Sequence, residues 1–147
     1  TTERGWHLID NLLLPRTDML QSVIKLVSPY ATTVLTGDEA NDPNTFQLEY
    51  PQIIVQIPWR VEQSRYKLVT TGVYTQQIDL YWNADEMGSL MDTLDKLEIL
   101  LPHLKLTQYP CEYQADSLVS PQPQVDTTTS TKLIHGVVRA DFFITEN

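Results

Sequence analysis

Two segments of this chain alternate apolar and polar residues, and two repeat apolar residues at spacings of three and four. Within Gly72–Asn83, Tyr74, Ile78, Leu80 and Trp82 fall on one side of an extended chain. Val73, Thr75, Gln77, Asp79 and Tyr81 fall on the other, so the segment predicts a half-buried β-strand. Thr131–Thr145 reads the same way. Ile134, Val138, Ala140, Phe142 and Ile144 share a face with Gly136, while Leu133, His135, Val137, Arg139, Asp141 and Phe143 line the opposite one. Apolar residues on both faces predict a strand inside a sheet, or an edge covered by another subunit.

Helical spacing appears after Asn83, which offers a cap with Glu86 three positions later. Met87, Leu90, Met91, Leu94, Leu97 and Leu101 then form one stripe, and Pro102 ends the helix. A shorter helix follows Thr17 or Asp18 as cap, with Leu20, Val23, Ile24 and Val27 inward and Pro29 beyond its end. Val34 and Leu35 begin a strand. Ile53, Val55 and Ile57 form another, bounded by Pro51 and Pro58, and Trp59–Gln63 continues as strand or turn. Ser64–Lys67 leads into the long strand, placed at 66–82. Lys105–Tyr113 is extended by residue type. Residues 36–45 are a loop by composition, and 117–130, with Pro121, Pro123 and four hydroxyl residues at 127–130, reads as a mobile loop facing a neighbour or a channel.

The order helix, strands, helix, strands predicts an α+β fold: a mixed, mainly antiparallel sheet with two helices on one face. It occupies residues 16–147 as a single domain. Residues 1–15 form an N-terminal arm whose Trp6, Leu8, Ile9, Leu12 and Leu13 must pack on the domain or dock on a neighbour.

The chain has 147 residues, 41% of them hydrophobic, which is enough for one core without staples. Its one cysteine, Cys111, excludes an internal disulfide and has no histidine at catalytic spacing. No apolar run reaches the ~20 residues a membrane helix needs. The net charge is −9, with −4 in residues 37–64 and −4 in residues 83–101. The ten Lys and Arg read as scattered singly, which argues against a grip on DNA phosphates.

Catalytic or metal-binding chemistry finds little material. His7, His103 and His135 belong to no ligand pattern; His103 sits at a helix end, and His135 is an ordinary strand side chain. Asp92 and Asp95 are three apart on a solvated helix face. With five glycines, the chain has no phosphate loop and no nucleophile elbow. No catalytic, metal or cofactor site is predicted. What needs explaining is the apolar surface left over in the arm and in the last strand. It supplies the expected subunit interface: Trp6, Leu8, Leu12, Leu133, Val137 and Phe143.

Met19-Leu-Gln-Ser-Val-Ile in an early helix, Gly72-Val-Tyr-Thr-Gln-Gln-Ile-Asp-Leu leading into a second helix, and Lys132-Leu-Ile-His-Gly-Val-Val late in the chain together give a layout that resembles the tail terminator (tail completion) proteins of bacteriophages. The resemblance covers roughly residues 15–147. It implies a non-enzymatic subunit without cofactors that closes into a ring, commonly a hexamer, in the neck of the virion. The ring ends growth of the tail tube, meets the tail tube protein and the head–tail connector protein, and lets genomic DNA pass without specific binding. Assembly would take place in the host cytoplasm. The alternatives are a head-completion, connector or tail-tube subunit, or a small ligand-binding domain or enzyme using the Trp59 and Trp82 region.

Overall fold

The computed structural model describes residues 14–42, 49–127 and 132–147. The arm residues Trp6, Leu8 and Leu12 lie outside them. Helices α1 (Pro15–Val27) and α3 (Met87–Leu100) flank a sheet of seven strands, β1 (Thr33–Thr36), β2 (Gln52–Val55), β3 (Trp59–Tyr66), β4 (Val69–Asn83), β5 (Cys111–Tyr113), β6 (Gln124–Asp126) and β7 (Leu133–Thr145), and a one-turn helix α2 (Gly37–Ala40) follows β1. The β1–β2 pair is parallel and every other pair antiparallel. The expected α+β architecture is therefore the one observed.

β4 is the spine. One side pairs with β7 from Thr71 to Asn83. The other side pairs with β3 at its start and with β2 at its end, so those two strands lie end to end. The break between them falls at Pro58, which has no N–H to give a ladder. The far side of β7 takes β6 at Leu133–His135 and β5 at Phe142–Ile144.

Both helices pack on one face. Met19, Val23 and Val27 of α1 and Leu90, Leu94 and Leu97 of α3 are buried against Ile53, Ile78, Leu80, Val138, Ala140 and Phe142. Gly136 is small for a packing reason: a Cβ there would stand 3.3 Å from the Leu94 side chain and 3.4 Å from Leu90.

Several local expectations need correction. Asp18 does not cap α1. Pro15 sits at the start of the helix, where its missing N–H costs nothing. The helix thus begins earlier than expected, and Asp18 turns inward. It is wholly buried and accepts the backbone N–H groups of Thr107 at 2.9 Å and Gln108 at 2.8 Å. Asn83 does not cap α3 either, because it still belongs to the β4–β7 ladder opposite Leu133, and a 3-10 turn at Ala84–Glu86 intervenes. The loop expected at 36–45 contains α2, which Thr36 and Glu39 close with a reciprocal capping box. In the loop expected at 117–130, Val119 bridges Arg139 and β6 pairs with β7. Ser64–Tyr66 belongs to β3, and the chain reverses at Lys67–Leu68 to form a hairpin.

Candidate functional site

That hairpin is the most exposed structured part of the described chain. Every residue of β3 is exposed, and among the described residues no strand pairs with its outer edge. At the tip, Tyr66 is 73% and Leu68 82% exposed, and Trp59, Val61 and Val69 are also open to solvent. Lys67 makes the turn with φ 55° and sets its ammonium 5.4 Å from the centre of the Tyr66 ring. Arg60, Arg65 and Lys67, three of the ten basic residues, share the hairpin with a single acid, Glu62. The basic residues are thus more clustered than their spread along the whole chain suggests.

The β4 arm of the hairpin, from just past the turn to Tyr74, is latched by the last residues described. Glu146 N–H donates to Thr70 O at 2.8 Å, and Asn147 Oδ1 accepts from Thr70 N–H at 2.7 Å. Arg60 binds the Glu146 carboxylate at 2.7 Å and donates to the Tyr74 hydroxyl at 2.8 Å. Burial pushes the Tyr74 phenol above its ordinary range, although Arg60 opposes the shift. Gly72 leaves room for this latch, because a Cβ there would collide with the Glu146 carboxylate.

The sheet face away from the helices is largely polar, and most of its side chains are half-buried, with Thr75 and Asp79 buried. Asp79 accepts from His135 Nε2 at 2.7 Å, from Gln56 Nε2 at 2.8 Å and from Gln77 Nε2 at 3.3 Å, and Tyr81 stacks on His135 with ring centres 4.4 Å apart. Burial favours the neutral acid, but the three donors outweigh it and hold Asp79 below the ordinary carboxylate range. Both carboxylate oxygens are engaged, which is the arrangement of a structural acid. Thr75 donates to Asp141 at 2.6 Å further along the same face.

The expected interface residues of β7 divide on this face. Leu133, only 2% exposed, is covered by its own chain and lines a small cleft with Leu35, Tyr50, Ile54 and Tyr81. Val137, opposite Asp79, and Phe143, opposite Val73, are half-buried. Cys111 is tucked beside β7, where burial pushes its thiol up to about 12, far from nucleophilic use at neutral pH. Among the described residues no group of three His, Cys, Asp or Glu side chains is placed to hold a metal, and no helix is long and apolar enough to cross a membrane.

A second exposed region lies at the opposite end of β4. Met87 and Met91 form a row beside the buried stripe of α3 and are 41% and 44% exposed. With Leu94, Asp95, Glu98 and Ser120–Pro123 they line an open cleft of about 450 Å³. The expected stripe therefore splits into a core row, Leu90, Leu94, Leu97 and Leu101, and this flanking pair.

No family model matches the chain, and no curated protein matches it in sequence. Among solved structures it is similar to a chain in the virion of a native gene transfer agent particle. That match covers 91% of this chain and 96% of the other, with a TM-score of 0.51 at 14% identity. At that identity what is shared is the fold.

Proposed function

We propose that this chain is a structural, non-enzymatic virion subunit of a phage-like particle, and that it acts as a tail terminator. Copies close into a ring, with six the expected number, at the head-proximal end of the tail tube. The ring stops tube growth and presents a docking face to the head–tail connector. The observation that carries this reading is the fold shared, over nearly the full length of both chains, with a component of a gene transfer agent virion. The surface supports it: a sheet face bearing half-buried Val137 and Phe143, an exposed hairpin, and an engaged carboxylate network instead of a reactive cluster. The net charge of −9 suits a channel through which DNA slides without sticking.

Native mass spectrometry and negative-stain imaging of the purified protein test the proposal. Closed rings of one stoichiometry, with no affinity for duplex DNA at physiological salt, are expected. Open filaments would instead make the chain a tube subunit, and a monomer at every concentration and salt would remove the ring.

A further inference from the structure

The hairpin tip and the methionine cleft complement each other in chemistry, yet they lie well apart on one molecule. The tip offers apolar Tyr66 and Leu68 with basic Arg65 and Lys67. The cleft offers apolar Met87, Met91 and Pro121 with acidic Asp95 and Glu98. β4 lies between them: it begins at Val69, beside the tip, and ends at Asn83, four residues before Met87. The Ser120–Pro123 wall of the cleft lies beside β7 between Arg139 and His135, level with Gln77–Tyr81 of β4, which leaves the two regions roughly 30–40 Å apart at the usual rise per residue of a strand. A chain pinned into that sheet cannot fill its own cleft. From these facts we infer that the hairpin tip of one copy inserts into the Met87–Met91–Glu98 cleft of the next copy.

Charge points to the same occupant. Residues 59–69 carry Arg60, Arg65 and Lys67 against Glu62, a net +2 within a chain of −9, so the remainder carries −11. A basic hairpin finds an acidic partner in any other copy of this chain, and α3 adds Asp92 on its exposed side. Area points the same way. Trp59, Val61, Tyr66, Leu68 and Val69 along the hairpin together leave on the order of 500 Å² in water, the size of the largest patch on a typical monomer, which is often functional, and over half of one side of a stable interface. Methionine suits the receiving side, because its unbranched, polarisable chain adapts to an incoming ring or leucine. The contact is head-to-tail, so repeating it with a closing rotation gives a ring.

This inference rests on the self-assembly reading above, and its test separates the two. Lys67→Asp keeps a residue type that tolerates the left-handed turn while reversing the charge, and Glu98→Lys reverses the partner. Each alone is expected to weaken association about tenfold, and the double variant to recover to within about threefold of the parent. In a Cys111→Ser background, Leu68→Cys mixed with Met91→Cys under mild oxidation is expected to cross-link, whereas either variant alone does not. Circular dichroism confirms that the hairpin-tip variants remain folded. If copies associate but no cross-link forms and the charge reversals have no effect, this contact is wrong while the ring stands. If the parent never self-associates, both fall.

Discussion

Two buried acids do different work, and each is open to direct test. Asp18 satisfies two backbone N–H groups from the chain that follows α3. Asp18→Ala leaves those donors without their carboxylate, so a loss of about 2 kcal/mol is expected in urea denaturation. Asp79 is held below the ordinary carboxylate range by His135, Gln56 and Gln77, against the pull of burial. A depressed folded pKa adds stability above the unfolded value, 3.8, and that stability is lost as pH falls through the folded value. The stability gap between the parent and Asp79→Asn is therefore expected to be widest at neutral pH and to shrink from about pH 4 downward. Denaturation midpoints at pH 7 and pH 3 check this. A gap that does not change with pH would remove the carboxylate's role. Neither acid's role was legible in the sequence. Asp18 looked like a cap until Pro15 set the helix start. Asp79 looked like one polar position among several, because two of its three partners, His135 on β7 and Gln56 just past β2, are distant in sequence.

At the scale of elements, Leu97→Ala in α3 removes a fully buried side chain from the layer between helix and sheet. A cost of about 2–5 kcal/mol, read by chemical denaturation, is expected. Gly72→Ala acts elsewhere. Its new methyl displaces Glu146, so amide exchange at 68–70 is expected to accelerate while the α3 core stays protected. Equal exchange at both sites in the two proteins would mean that the latch does not hold the hairpin. The long strands and the Leu stripe were legible because their periods of two and of three to four are repeated many times. The hairpin was not, because its turn is Lys67-Leu68, with no Gly, Asn or Asp to mark a reversal, and a positive φ on lysine leaves no trace in sequence. β6 was missed for a related reason. Gln124–Asp126 is too short to show a period, and only β7 beside it makes it a strand. Thr36-x-x-Glu39 was readable as a capping box, but the Gly, Asn and Pro around it suggested a loop.

At the scale of the whole molecule, one face of the sheet holds the core and the other is largely polar, with Val137 and Phe143 half-buried on it. Phe143→Thr and Val137→Thr make that face more polar without touching the helix side and without setting a carboxylate opposite Glu112 or Asp79. They are expected to leave the thermal midpoint within a few degrees of the parent and to lower the oligomer fraction in sedimentation, if this face meets a neighbour as proposed. The hairpin's basic charge gives association a second signature: raising salt from about 50 to 500 mM should weaken it severalfold. The central position of β7 also has a kinetic consequence. The spine strand cannot complete its ladder until residues 133–145 arrive, some sixty positions after their partners. A ribosome must therefore release most of the polypeptide before the sheet can close. Refolding is accordingly expected in the millisecond-to-second range typical of sheets built from distant pairings. On the proposed assembly, self-recognition is thus postponed until β7 is in place, which keeps half-made copies from pairing.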